Sequence, residues 1–139
     1  MDMNPTAPLI QTLREDYPHL QAIYLFGSWG GEDEWPGSDV DIALLLPPDE
    51  AKTLDWRRLA ASQARLETAL RKPVDLLNAR QVSTVFQKEI VMADRRVYTA
   101  DAYAADEFEM LTLSYYQKLN EERAEVLAEG LRSGSFYAV

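Results

Sequence analysis

Apolar positions along the chain fall into two rhythms. Leu9, Leu13 and Tyr17 recur every four residues, which predicts a short first helix ended by Pro18. AIYLFGS (22–28) is a dense apolar run broken at Gly27 and reads as a buried strand. The next stretch, WGGEDEWPG (29–37), holds three glycines and a proline and is a loop. In SDVDIALLL (38–46) the pattern alternates: Val40, Ile42 and Leu44 share one face, and Asp39, Asp41 and Ala43 share the other. This is a second strand, stopped by Pro47 and Pro48.

The helical rhythm returns at Trp56, Leu59, Gln63, Leu66 and Leu70, giving an amphipathic helix over about 54–71. KPVDLLN (72–78) predicts a third strand, with Asp75 on the face that Val74 and Leu76 avoid. Val82, Val85, Phe86, Ile90 and Ala93 mark another helix, and RRVYTA (95–100) an edge strand. From about 102 to 132 the pattern is helical once more, and Phe108, Met110, Leu111, Leu113, Tyr115, Tyr116 and Leu119 spread over more than one face. A helix apolar on two sides has two neighbours, one of which can be another chain. The order predicts an α/β (α+β) fold: a small mixed sheet, helices packed on one face and a long C-terminal helix. It forms a single domain over 1–139, with a core at about 10–100.

Composition narrows the chemistry. The chain has 139 residues, no cysteine and a single histidine, His19, so thiolate sites, thiol nucleophiles and His-rich zinc sites are excluded. The opening MDMNPTAPLI lacks a basic region followed by an apolar run; no signal peptide or membrane span is expected, and the chain reads as cytoplasmic. The net charge of −9 argues against direct nucleic-acid binding. No lysine or arginine lies between Arg14 and Lys52, while nine acids do: Glu15, Asp16, Glu32, Asp33, Glu34, Asp39, Asp41, Asp49 and Glu50. Such a stretch either solvates a surface or holds a cation.

Within the loop between the first two strands, Glu32, Asp33 and Glu34 read as a solvated tip, whereas the residues that bound the loop suit a cation. Asp39 and Asp41 project from one strand face, which brings two carboxylates together without a basic neighbour and suits a hard cation such as Mg²⁺. Gly27 permits a sharp turn and close approach to backbone N–H groups, and the Ser28 hydroxyl suits a phosphate. If the 72–78 strand neighbours 38–46, Asp75 brings a third carboxylate to the same point. Three carboxylates, a metal and a phosphate cradle describe in-line phosphoryl or nucleotidyl transfer.

Gly27–Ser28, ten intervening residues, Asp39-x-Asp41 and a later strand Asp75 resemble the signature of the polymerase-β-type nucleotidyltransferase superfamily. The size resembles its minimal (MNT) branch, antitoxins that neutralise HEPN-domain ribonuclease toxins. The resemblance implies that Asp39 and Asp41 hold Mg²⁺, that Asp75 helps activate the attacking hydroxyl, and that Gly27 and Ser28 bind the triphosphate of ATP. Ser38, closing the same loop, joins them as a nucleotide-binding candidate. It further implies transfer of AMP to a tyrosine of a cognate HEPN toxin. Relatives often carry a basic residue after the Gly–Ser pair. Here Glu32, Asp33 and Glu34 occupy that loop, so Arg57, Arg58, Lys88 or a partner must supply the compensating charge. Trp29 and Trp35 read as packing residues, with base stacking as the alternative, and His19 as a helix cap. Two rival functions stand beside the enzyme: an antitoxin that works by binding alone, and a nucleotidyltransferase acting on an antibiotic.

Overall fold

In the computed structural model, which describes residues 6–27, 29 and 39–133, β1 (Ala22–Phe26) and β2 (Val40–Leu45) form the centre of a four-stranded sheet. β3 (Val74–Asn78) lies outside β2 and β4 (Arg96–Thr99) outside β1, in the order β3-β2-β1-β4. β1 pairs antiparallel with both β2 and β4, whereas β2 and β3 are parallel. A parallel pair needs a long crossover. Here it is made by α2 (Pro48–Thr53) and α3 (Trp56–Leu70). The remaining helices are α1 (Ala7–Asp16), α4 (Thr84–Met92) and α5 (Ala102–Ser133).

Local chemistry sets the boundaries. The Asp55 carboxylate accepts from the Arg57 N–H at 2.9 Å and caps α3, and Ser83 Oγ accepts from the Phe86 N–H at 3.2 Å and caps α4. Pro47–Pro48 does stop β2, as expected, but Pro48 also starts α2: its fixed φ suits a first helical position, and Asp49 and Glu50 follow in the first turn. The outer edge of β3 is sealed by α3, where Glu67 Oε2 accepts from the Val74 N–H at 3.0 Å and Gln63 Oε1 from the Leu76 N–H at 3.1 Å. An edge strand with its donors taken does not slip or recruit another chain. Asp75 sits between these two anchored groups.

The fold class agrees with the sequence, but the helices cover both faces of the sheet. Ile23, Leu25, Val40, Ile42, Leu44, Val74 and Leu76 pack with Leu9 and Leu13 of α1 and Leu66 of α3. On the opposite face Ala22, Tyr24, Ala43 and Leu45 pack with Ile90 of α4 and with Ala105 and Phe108 of α5. Element order alone does not say that the face carrying Asp41 is covered as well. That face is polar only at one end. At the other end it is apolar, and burying Tyr24 and Leu45 there stabilises the fold by roughly 1.5–3 kcal/mol per side chain.

α5 is rooted by the Tyr24 hydroxyl, which donates to Glu109 Oε2 at 2.7 Å, and by Arg96, which reaches Asp106 and Glu109 at 3.0 and 2.8 Å. Beyond Thr112 its side chains are mostly exposed. No helix among the described residues is long and apolar enough to cross a membrane. His19 is not a helix cap. It lies in the turn after α1 and pairs with Glu50 of α2.

Candidate active site

The parallel register places Asp41 of β2 directly beside Asp75 of β3, and the antiparallel register places Phe26 of β1 on the other side of Asp41. Partners in register project from the same face, so the row across the sheet reads Asp75, Asp41, Phe26. This is the face that α4 and α5 leave open at its far end. Asp39 lies one residue before β2 begins and is exposed.

The residues around Asp41 work against its ionisation. Burial, then the charge of Asp75, then a hydrogen bond shared with that carboxylate and finally the charge of Asp39 push Asp41 up to about 6 from an ordinary 3.8. None of Asp39, Asp41 and Asp75 forms an ion pair among the described residues. Asp41 and Asp75 thus adjoin with no basic side chain to offset their charge, an arrangement that a divalent cation would relieve. The described residues contain no preformed cluster of three acidic or histidine ligands. Mg²⁺ does not require one, because it is commonly held by one or two carboxylates together with substrate phosphates. The Asp41–Asp75 pair, with Asp39 beside it, fits that pattern.

Gly27 ends β1 against this pair. Its φ is +81°, in the left-handed region, and a Cβ built there would stand 2.3 Å from Asp41 Oδ2. Only glycine lets the backbone turn there and come this close to the carboxylate. Ser28 and Ser38, the two hydroxyl candidates, lie outside the described residues, as do Glu32, Asp33, Glu34 and Trp35.

The compensating bases proposed from sequence are engaged elsewhere. Arg58 donates to the Asp16 carbonyl at 2.6 Å and lies over the Tyr17 ring, and Arg57 lies over Trp56, all within or beside the α1–α3 layer. Lys88 pairs with Glu89 at 2.6 Å and lies over the Tyr116 ring. Glu15 and Asp16 of the acidic stretch are likewise taken, both by Arg65.

Among the described residues, Arg95, which the sequence pattern places in an edge strand, reaches the site. Its Nη1 donates to the Gly27 carbonyl at 3.1 Å and its Nη2 to the Trp29 carbonyl, bracing the chain where it leaves β1. The pairing of β4 with β1 brings it there, and the Leu25 N–H also bonds to the Arg95 carbonyl at 2.9 Å. Trp29 itself is 6% exposed and packs in the α1–α3 core, which settles its role as packing.

Comparisons with known proteins identify the family. Residues 9–103 match the family described as "Polymerase beta, Nucleotidyltransferase". The protein adenylyltransferase MntA of Shewanella oneidensis is 36% identical over 120 residues, which cover 86% of this chain and 82% of the relative. A crystal structure of a toxin–antitoxin with AMP-PNP contains a chain 32% identical, with a TM-score of 0.76, covering 93% of this chain and 99% of that one. A structure of the tri-AMPylated Shewanella oneidensis HEPN toxin in complex with MNT antitoxin gives 32% identity and a TM-score of 0.72, covering 94% and 99% of the two chains. On this family match and this likeness to MntA, the chain belongs to the polymerase-β nucleotidyltransferase family and is a nucleotidyltransferase.

Proposed function

We propose that the protein transfers AMP from ATP to a tyrosine hydroxyl of a cognate HEPN ribonuclease toxin, and so acts as its antitoxin. The observation that carries this is the in-register Asp41–Asp75 pair with the Gly27 backbone set against it. The similarity to MntA and to chains of complexes holding AMP-PNP or an AMPylated toxin supports the choice of donor and acceptor.

Asp39, Asp41 and Asp75 would hold Mg²⁺, whose bound charge neutralises the triphosphate and orients the α-phosphate. The acceptor hydroxyl oxygen attacks the α-phosphorus in line, the bond to the bridging oxygen breaks and pyrophosphate leaves with that electron pair. Asp75, exposed at the edge of the row, takes the hydroxyl proton. Gly27, Ser28 and Ser38 cradle the triphosphate through backbone N–H and hydroxyl donors, and Arg95 holds the Gly27 turn in place. Acceptor recognition is the task of a protein surface. No direct contact with nucleic acid is part of the reaction, and the cytoplasm, where ATP is supplied, is its setting.

The test is incubation of the purified chain with α-labelled ATP and Mg²⁺, with and without a HEPN-domain toxin. Label on a toxin tyrosine that is lost with EDTA is the expected result. A tight complex carrying no label would replace this reading with neutralisation by binding alone.

A further inference from the structure

An aromatic pair stands beside the carboxylates with no part in the chemistry described so far. Phe26 occupies the β1 end of the row, in register with Asp41 and one residue before Gly27. Phe86, in the first turn of α4, meets it edge-on, with ring centroids 5.6 Å apart and planes at 89°. Core packing does not consume Phe86. It remains 40% exposed, although it touches Phe26 and its backbone N–H is fixed by the Ser83 cap. Trp29, the aromatic that the sequence placed nearest the catalytic loop, is buried and cannot present a ring to a ligand.

We infer that Phe86, propped by Phe26, is the shelf on which the base of the donor nucleotide stacks; this rests on the nucleotidyl-transfer reading above. The order of the row gives the direction. Asp75, which takes the acceptor's proton, lies on the β3 side of Asp41, so the acceptor approaches from there. In-line attack sets the leaving pyrophosphate on the other side, toward Gly27, and the nucleoside, equatorial on the α-phosphorus, then has Phe26 and Phe86 as the aromatic surface beside it. An exposed ring beside a polar phosphate site gives a base what carboxylates and backbone amides do not: a flat apolar face. Stacking on a ring tolerates any base, so this shelf adds affinity without reading the base edge.

The experiment compares wild-type chain with Phe86→Leu, which keeps apolar contact with Phe26 but removes the ring, and with Phe86→Tyr, which restores it. Affinities for ATP and for tripolyphosphate, each with Mg²⁺, are measured by calorimetry, and transfer to the toxin is followed in parallel. Phe86→Leu is expected to weaken ATP and raise its KM by about tenfold, to leave tripolyphosphate within twofold and to change kcat little. Phe86→Tyr is expected to recover ATP affinity. Unchanged ATP affinity in Phe86→Leu overturns the shelf, as does an equal loss for tripolyphosphate or a KM change confined to the toxin. A wild-type chain that binds ATP but transfers nothing overturns the transfer reading instead, because the comparison of ATP with tripolyphosphate needs no turnover.

Discussion

Gly27 and Asp41 are so close that a single added carbon would collide: a Cβ on Gly27 would lie 2.3 Å from Asp41 Oδ2 and 3.3 Å from its Cγ. The atom displaced is the tip of a side chain, so the carboxylate rather than the sheet would give way. Gly27→Ala also places a Cβ at a φ of +81°, which costs about 1–2 kcal/mol. The expected outcome is a folded protein, modestly less stable in denaturant titration, whose AMP transfer falls more than about a hundredfold because Asp41 has turned away. Transfer that survives in a folded Gly27→Ala protein would show that Asp41 does not act from this position.

The Asp41–Asp75 pair predicts a particular pH dependence. Asp41 is raised from 3.8 to about 6 in the folded chain, so between those values the folded state keeps a proton that the unfolded state has released. Stability of the metal-free protein therefore falls as pH rises from about 4 to 6 and levels off above that. Asp41→Asn, which cannot ionise, should flatten this fall and raise the melting temperature at pH 7.5. Thermal unfolding across pH 4–8 in EDTA checks it. A wild-type profile identical to that of Asp41→Asn would mean that the two carboxylates do not repel in solution.

Adding Mg²⁺ should reverse the penalty. At pH 7.5 the cation is expected to stabilise the wild type and to have no effect on the Asp39→Asn, Asp41→Asn double variant, which should fold but transfer no AMP. Both side chains project away from the core-facing Val40 and Ile42, so the double change leaves packing intact. Retained Mg²⁺-dependent transfer in that variant would remove these residues from the chemistry.

Much of this site was legible in the sequence because strand periodicity is a strong local signal. Alternation across 40–46 put Asp41 opposite the core, and the same logic put Asp75 opposite Val74 and Leu76. What periodicity does not give is which strands adjoin. The β2–β3 register makes Asp41–Asp75 the close pair, with Asp39 just before the strand, whereas spacing alone paired Asp39 with Asp41. Arg95 and Phe86 were missed for a related reason. Both reach the site through tertiary pairing, of β4 with β1 and of α4 with Phe26, over sequence separations that leave no local trace. The second covered face was missed because the order of elements does not say on which side of the sheet each helix packs.

Arg95 is expected to act through position rather than charge on the substrate. Its guanidinium already serves two carbonyls, those of Gly27 and Trp29. Arg95→Lys keeps the charge but loses the fork that holds both acceptors at once. Transfer should drop by about tenfold through kcat, with the fold retained. If Arg95→Lys instead raised the KM for ATP at constant kcat, the residue would be a direct phosphate ligand.

The last expectation concerns α5. The helix has 32 residues, about 48 Å of length, and beyond Thr112 it leaves Leu113, Tyr115, Val126, Leu127 and Leu131 exposed. Tyr115 is 57% exposed and lines a small hollow of about 160 Å³ with Leu111, Arg80 and Gln87, whereas Tyr116 is half-buried beneath Lys88. An exposed aromatic beside a hollow is a typical anchor of a protein interface. The toxin is the partner that the proposed reaction requires. Tyr115→Asp should weaken the complex by more than about 2 kcal/mol, roughly thirtyfold in Kd, with the domain still folded because α5 is rooted upstream through Phe108, Glu109 and Arg96. Calorimetric titration against the toxin reads the affinity, and far-ultraviolet circular dichroism confirms the helix. Unaltered toxin affinity in Tyr115→Asp, with Leu111→Asp equally silent, would move the docking surface off this face of α5.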